Sequence, residues 1–198
     1  GRMSGKVVEA FVAKADLLAA SPAYSDQSGV DWKTAAASAA KVLNHIGGVD
    51  GMDPTGWTWY CNVDDIEKLS PTESPAEILW RGERAKSLSL EEDNFPPTLY
   101  GNGRINPTQN LVDAFPMLNG YPVSHLSGEY DENLPYANRD PRLEAYILYN
   151  GCKAGNTNKE IFTAADGTTN DALNKVVGRS TRTGYYLRKL LRQDISLD

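Results

Sequence analysis

The sequence predicts a mainly α-helical fold with an irregular, loop-rich region and a few short strands. Two segments near the N-terminus place apolar residues at helical spacing and end at proline or glycine. Residues 51–103 are instead punctuated by glycine, proline and asparagine, which is typical of loops. We therefore divide the chain into a helical hairpin at 1–50 and an irregular region at 51–198, which together form one incomplete fold.

The first helix is predicted over residues 4–20. Val7 and Phe11 belong to a set of apolar residues that recur at spacings of three and four. Ser4 is a favoured N-cap residue, and Pro22 ends the helix because it moves the preceding residue out of the α region. We therefore expect an amphipathic helix that packs its apolar stripe against another element.

The second helix is predicted from Asp31 to about Ile46. Asp31 is a good N-cap, and the glycine pair at 47–48 stops the helix. The alanine run at 35–37 allows another helix to approach closely, so the two helices indicate a tetratricopeptide-like hairpin. One such hairpin cannot bury its own apolar face, since roughly three repeats are needed for stability. We expect its packing partners in the rest of the fold or outside this sequence.

The irregular region contains a few predicted elements. A strand is predicted at 77–82, and a short helix from Pro107 to about Ala114 has Asn106 as its expected N-cap. The apolar and aromatic residues at 143–149 and 185–191 predict two further strands.

Composition and charge exclude several classes of protein. The 198 residues are 40% apolar and 23% charged, which is ordinary for a globular protein. The formal net charge of −6 disfavours a surface that follows nucleic-acid phosphates, and we expect no nucleic-acid partner. No apolar run is long enough to span a bilayer. The chain opens without a signal peptide, so we expect it to be a fragment of an exported protein.

Catalysis finds little support in the sequence. The two histidines, His45 and His125, have no nucleophile elbow around them. The two cysteines, Cys61 and Cys152, lack metal-binding spacing, and two unrelated thiols are favoured over one long-range disulfide. Glycoside hydrolysis needs two carboxylates held close together, whereas acidic runs such as 91–93 are typical of solvated loops. A hydrolase stays open as an alternative.

No cofactor is expected. Oxygen ligands at 131–133 and 138–140 would suit a structural calcium ion, but they lack the alternation and the bidentate glutamate of a dedicated loop. The glycine-rich turn at 101–103 is not followed directly by a helix, so a nucleotide-binding loop is not indicated. We expect ion-free turns and leave a structural calcium open.

Aromatic residues are the candidates for ligand binding. Trp57 and Trp59 would point the same way in an extended strand, and Tyr60 follows them. Exposed rings of this kind provide flat platforms for the C–H face of a sugar; the alternative is that both tryptophans belong to the core. Tyr100, beside the glycine turn, is the fourth ring. Side chains that would orient the ligand by hydrogen bonds are Asn62, Asp64 and Asn102.

Several strings in the second half of the chain resemble one known family. Residues 106–115 read NPTQNLVDAF, residues 135–142 read PYANRDPR, and residues 181–186 read TRTGYY. In this order and approximate spacing they resemble the SusD/RagB family, the cell-surface nutrient-binding lipoproteins of Bacteroidetes-type bacteria. The resemblance extends from Gly1 to about Ile195, and its opening part is similar to the last repeat hairpin of the family.

The resemblance implies tetratricopeptide-like hairpins that support an irregular, loop-rich half. It also implies a protein without enzymatic activity that binds a glycan or, in some members, a peptide, together with a SusC-like TonB-dependent transporter. The location would be the outer membrane surface, with the lipid anchor outside this fragment. Arg139 and Arg142 are expected to have a structural role, in which guanidinium groups clamp nearby carboxylates or carbonyls. The alternatives are a surface glycan hydrolase and a peptide-binding or protein-interaction module.

Overall fold

A computed structural model describes residues 3–53, 75–80 and 87–198. The chain divides into two compact units. Unit 1 comprises Gly1–Thr58 and Leu69–Arg84, and unit 2 comprises Trp59–Lys68 and Ala85–Asp198. The boundary that we placed at residue 50 stays a prediction. No helix in the described ranges is long and apolar enough to cross a membrane.

Unit 1 contains the predicted pair of helices. Helix α1 spans Gly5–Ala19, α2 is the single turn Ser25–Ser28, α3 spans Trp32–Asn44, and a 3₁₀ turn follows at Val49–Gly51. Helices α1 and α3 pack against each other.

Two side-chain contacts fix the direction of this pair. Glu9 pairs with His45, with 2.6 Å between Oε2 and Nε2, and Asp16 accepts a hydrogen bond from Ser38. The partner of the earlier residue in α1 comes later in the chain than the partner of the later residue, so the helices are antiparallel. This confirms the hairpin.

The caps of the two helices differ. Asp31 Oδ1 accepts hydrogen bonds from the backbone N of Thr34 at 2.8 Å and from its Oγ1 at 2.7 Å. These two bonds hold the pKa of the Asp31 carboxyl below its ordinary value, because they favour the charged form. Ser4 occupies the N-cap position of α1, but its side chain makes no capping bond. The predicted cap is therefore confirmed at Asp31 and wrong at Ser4.

The hairpin leaves most of the apolar stripe of α1 uncovered within unit 1. Val7 and Ala35 are buried, whereas Phe11 and Leu18 are more than half exposed, at 52% and 60%. A single helical hairpin buries only the seam between its two helices, which agrees with the expectation that one repeat does not cover its own face.

In its described residues, unit 2 consists of short helices joined by loops, with four strands of two residues each. The helices described there are α4 Ser89–Asn94, α5 Gln109–Ala114 and α6 Pro141–Tyr146, with 3₁₀ turns at Pro97–Leu99 and Leu126–Gly128. Strand β1 Ile147–Leu148 pairs antiparallel with β4 Tyr186–Leu187, and β2 Lys153–Ala154 pairs antiparallel with β3 Lys159–Glu160. The predicted fold class, mainly helical with loops and a few short strands, is confirmed.

Two clusters of buried side chains hold unit 2 together. The first cluster surrounds Tyr186, whose ring is fully buried; its other members include Phe95, Leu148, Ile161 and Leu191. The second lies between α5 and α6 and contains Val112, Leu143, Ile147 and Tyr185. The β1–β4 pair contributes residues to both clusters, so this two-residue ladder joins the halves of the core.

The predicted start of the helix after residue 106 is wrong by two residues. Helix α5 begins at Gln109, and its N-cap is Thr108, whose Oγ1 accepts from the backbone N of Leu111 at 3.3 Å. Asn106 instead donates to the carbonyl of Gly103 and accepts from the backbone N of Arg182. The side-chain oxygen of Asn106 could have capped the helix, but it accepts this long-range hydrogen bond instead.

The predicted strand at 143–149 is wrong over most of its length. Residues Pro141–Tyr146 form α6, because Asp140 Oδ1 caps the backbone N of Arg142 at 2.9 Å and Pro141 occupies the first helical turn. Only Ile147–Leu148 is extended. The strand predicted at 185–191 is likewise confined to Tyr186–Leu187. Of the strand predicted at 77–82, residues 77–80 are not in a strand, and the rest lies outside the described residues.

The two arginines of the PYANRDPR string act as clamps, as predicted. Arg142 pairs with Asp140 through two bonds, Nε to Oδ1 at 2.9 Å and Nη2 to Oδ2 at 2.6 Å. Arg139 is buried and donates to three carbonyl oxygens, those of Pro135 at 2.9 Å, Val112 at 2.7 Å and Phe115 at 2.8 Å. The last two carbonyls lie at the C-terminal end of α5, where a cation is favourable.

Candidate ligand-binding surface

Of the seven predicted ligand-binding residues, the structure describes two. Tyr100 and Asn102 both lie in the loop of residues 95–104, which we call the Tyr100 loop. The other five lie outside the described residues: Trp57, Trp59, Tyr60, Asn62 and Asp64. Their assignment to a platform stays a prediction.

Hydrogen bonds to helix α4 hold the Tyr100 loop in place. The backbone N of Asn102 and its Nδ2 both donate to the carbonyl of Glu92, at 2.9 and 3.0 Å. The backbone N of Arg104 donates to the carbonyl of Asp93 at 3.0 Å. The Nδ2 group of Asn102 therefore fastens the loop, and its Oδ1 is the atom left to accept a hydrogen bond from a ligand.

Glycine is required at two positions of this loop. A Cβ at Gly101 would lie 2.2 Å from the carbonyl oxygen of Phe95. Gly103 has a φ of +52°, and a Cβ there would lie 2.3 Å from the carbonyl oxygen of Arg179 and 2.6 Å from the Tyr186 ring. The loop is thus pressed against the core on one side, which leaves its other side for contacts outside the unit.

Tyr100 projects from the hydrogen-bonded loop toward solvent. Its backbone is left-handed, with a φ of +66°, and its side chain is among the large exposed apolar groups, at 51% exposure. The ammonium of Lys159 lies 5.1 Å from the ring centroid, a distance typical of a cation–π contact. The exposed part of the ring offers a surface for the C–H groups of a sugar, and the ammonium over one face of the ring offers a donor for its hydroxyls.

The space beside the Tyr100 ring is too small to enclose a sugar. It is a cleft of about 60 Å³, lined by residues that include Leu99, Asn156, Thr157 and Lys159. Pockets that enclose a small ligand hold roughly 300–1,000 Å³. A sugar would therefore contact the exposed part of the ring from one side, as on a platform.

Asp171 supports the platform from inside the unit. Its side chain is fully buried, and its Oδ1 accepts from the backbone N of Thr98 at 2.8 Å, two residues before Tyr100. Its Oδ2 is buried and has no hydrogen-bond partner among the described residues. Burial raises the pKa of this carboxyl, although the Thr98 bond acts in the opposite direction. Sequence reasoning missed Asp171 because nothing local in its loop segment indicates burial.

Asp171→Asn is expected to remove a pH-dependent loss of stability. Because folding raises the pKa of the Asp171 carboxyl, the stability that this group contributes is complete below about pH 4 and is lost as the pH rises through the raised value. The free energy of unfolding, measured in urea from about pH 4 to about pH 8, should therefore fall for the wild type relative to Asp171→Asn. A difference between the two proteins that does not vary with pH would contradict this role for Asp171.

The histidines and the described cysteine occupy structural positions. His45 pairs with Glu9, and His125 Nδ1 accepts from the backbone N of Ser127 at 3.1 Å while its ring stacks on Tyr121. Cys152 is a buried free thiol, and burial raises its pKa; Cys61 lies outside the described residues. Within residues 3–53, 75–80 and 87–198, no group of three or more His, Cys, Asp or Glu side chains is arranged to hold a metal ion.

Comparison with known proteins gives consistent results. The family model described as "SusD family" matches residues 79–197. A SusD-like protein from Bacteroides fragilis is similar over 98% of this chain and 38% of its own chain, with 21% identity and a TM-score of 0.62. A SusD-like carbohydrate binding protein from the same organism is similar over 55% of this chain and 21% of its own, with 24% identity and a TM-score of 0.47. No curated protein matches the chain.

The solved structures show the fold of the chain, and the family model shows its family. The chain spans well under half the length of both solved relatives. At 21% identity, the likeness over nearly the whole chain shows a SusD-like fold. The family model covers more than half of the residues and includes all three strings that suggested the family from sequence. The chain belongs to the SusD family.

Proposed function

We propose that this chain is part of a cell-surface protein that binds glycans for uptake and does not break their bonds. The observation that carries the proposal is the Tyr100 platform, a half-exposed ring on a loop whose backbone is held by hydrogen bonds and by the close packing of two glycines. A loop that is already ordered loses little conformational entropy when a sugar stacks on its ring. Open platforms desolvate few groups, so we expect weak, reversible binding, which suits a protein that passes its ligand on.

The family resemblance supplies the wider setting of this proposal. It implies a SusC-like TonB-dependent transporter as the protein partner and an outer-membrane, surface-exposed, lipid-anchored location for the whole protein. The other predicted rings, Trp57, Trp59 and Tyr60, would also stack against the ligand, and Asn62, Asp64 and Asn102 would orient it by hydrogen bonds. Pull-down of the whole protein with a SusC-like transporter from the same organism would test the partnership.

The titration behaviour of the carboxyls favours binding without hydrolysis. A glycosidase needs a carboxylic acid with a raised pKa next to the scissile bond. Asp171 is a described carboxyl whose pKa is raised, but its side chain is fully buried. Asp31 and Asp140 have lowered pKa values, which suits hydrogen-bond acceptors and not proton donors. Release of reducing ends from any bound glycan would contradict this part of the proposal.

Tyr100→Ala is expected to weaken glycan binding about five- to a hundredfold, which corresponds to loss of about 1–3 kcal/mol of stacking and apolar contact. The measurement is calorimetric titration against a panel of plant and host oligosaccharides. Tyr121→Ala is the matched control, because Tyr121 is similarly exposed, at 45%, and belongs to the same unit.

The outcomes of this titration are distinct. Loss of affinity in Tyr100→Ala but not in Tyr121→Ala supports the platform. Saturable binding that neither Tyr100→Ala nor the double change Trp57→Ala/Trp59→Ala affects would remove the site assignment. If no glycan in the panel binds and peptides do, the ligand class is wrong.

A further inference from the structure

A second, larger cleft lies on unit 2. Its volume is about 440 Å³, within the range of pockets that hold small ligands. It lies beside the β2–β3 hairpin: Gly155 and Asn158 of the hairpin turn line this cleft, while Asn156 and Thr157 line the surface next to Tyr100. The same four-residue turn therefore borders both the Tyr100 platform and the cleft.

Charged side chains distinguish the cleft from the platform. Lys153 and Arg188 contribute two positive charges and Glu144 one negative charge. The local balance is positive, although the whole chain has a net charge of −6. A positive cleft on an acidic protein attracts anions locally, since charges beyond about 10 Å are screened at ordinary salt concentrations.

Arg188 is held in a fixed position at the wall of the cleft. Its Nη1 donates to the carbonyl of Glu144 at 2.9 Å, and its Nη2 donates to the carbonyl of Lys153. Its Nε is buried and has no acceptor among the described residues. Backbone carbonyls orient the guanidinium but do not neutralise it, and no carboxylate of the described chain forms an ion pair with it. Its positive charge therefore remains available to the cleft.

The other two charged groups are also uncommitted. Lys153 is exposed, and the hairpin register places it opposite Glu160, yet their charged groups form no ion pair within 4.0 Å in the described ranges. Glu144 is exposed, and its carboxylate has no ion-pair partner there either. Gln193, by contrast, is occupied: its Oε1 accepts from the backbone N of Gly155 at 3.2 Å and fastens the hairpin turn. The groups free to meet a ligand are Lys153, Glu144 and the exposed amide of Asn158.

We propose that this cleft binds the anionic substituent, a carboxylate or a sulfate ester, of an acidic sugar residue. Lys153 and the fixed Arg188 would attract the anion, while Asn158 and Glu144 would bond to sugar hydroxyls. The inference rests on the proposed function, because the platform across the hairpin turn would hold an adjoining residue of the same glycan. Carboxylate and sulfate share this chemistry, so both are used as probes.

The test is calorimetric titration of the whole chain with an oligogalacturonate, its fully methyl-esterified counterpart and a sulfated neutral oligosaccharide. The two galacturonan probes have the same backbone and differ in charge, so their affinity ratio isolates the anion. Lys153→Gln should lower affinity for the charged probes about two- to fivefold and leave the methyl ester unchanged. Glu144→Gln should raise affinity for the charged probes by a similar factor, because it removes a repelling carboxylate and keeps an acceptor. Lys33→Gln and Glu132→Gln, exposed sites that do not line the cleft, are controls for net charge.

Opposite effects of Lys153→Gln and Glu144→Gln on charged probes alone would support the inference, and a purely structural role would not produce them. The inference fails and the proposed function stands if neutral glycans bind through Tyr100 but Lys153→Gln leaves the affinity for the charged probes unchanged. If no glycan binds to any variant, both fail. If an oligoglutamate peptide binds as tightly as the charged glycans and depends equally on Lys153, the cleft recognises carboxylates without selecting sugars, and the assignment to sugars is overturned.

Discussion

Arg139→Met is expected to destabilise unit 2 by about 3–5 kcal/mol, because it removes three hydrogen bonds from a charged donor to main-chain carbonyls. Arg139 is 7% exposed and donates to the carbonyls of Val112, Phe115 and Pro135. A methionine fills much of the same volume but leaves the carbonyls of Pro135 and Phe115 without this donor, while the Val112 carbonyl keeps only the backbone N of Phe115 at 3.3 Å. An acceptor left unpaired costs about 1–3 kcal/mol when water cannot reach it. The measurement is urea unfolding followed by near-ultraviolet circular dichroism of the tyrosine-rich core.

Two further arginine variants test whether the loss of stability comes from the buried guanidinium. Arg182→Met removes the same charge from an exposed side chain, and its free energy of unfolding should stay within about 0.5 kcal/mol of the wild type. Arg139→Lys keeps the charge but replaces the planar fork by a single ammonium, so it should lose part of the stability. If Arg139→Met and Arg182→Met unfold at the same urea concentration, the clamp contributes no stability.

Gly103→Ala is expected to cost about 2–5 kcal/mol, since it adds backbone strain to a steric overlap. The positive φ of +52° is unfavourable for alanine, and the new Cβ would overlap the carbonyl oxygen of Arg179 and the buried ring of Tyr186. The Tyr186 ring cannot move easily, because its hydroxyl donates to the carbonyl of Asp171 and accepts from the backbone N of Thr181. We therefore expect both lower stability and displacement of Tyr100.

Gly120→Ala is the matched control for this substitution. Gly120 also has a positive φ, +85°, but a Cβ there meets no atom within 4 Å. Gly120→Ala should therefore show only the cost of a positive φ for alanine, about 1–2 kcal/mol in the free energy of unfolding. Comparison of the two urea midpoints separates strain from overlap. Equal midpoints would mean that the loop relaxes around the added methyl group, and that the close approach at Gly103 does not hold Tyr100 in place.

The parts of the fold that sequence predicts well are those whose signals are local. Helix α3 begins after Asp31 because the capping partner, Thr34, lies three residues away. The clamping role of Arg139 and Arg142 follows from the chemistry of the guanidinium group. For Arg142 the partner is two residues away, so even its identity is accessible from the sequence.

Sequence reasoning fails where the deciding partner is distant. Asn106 is a good N-cap by type, yet its Oδ1 is taken by the backbone N of Arg182, 76 residues away. The contacts that hold the Tyr100 platform also come from residues that are distant in sequence. Tyr100 was predictable as a ring beside a glycine turn, but Asp171 reaches the loop over 73 residues and Lys159 over 61. The charged cleft was not predicted because its lining residues are separated in sequence and each is ordinary by itself.

The contact between Glu91 and Arg192 has a consequence for how the protein is made. Glu91 is buried in α4, and its Oε1 accepts from the backbone N of Arg192 at 3.1 Å, across 101 residues. During translation, unit 2 cannot complete this bond until Arg192 has emerged from the ribosome. Until then the binding site for the C-terminal segment is open, and Leu191, which is fully buried once in place, has not yet covered the core.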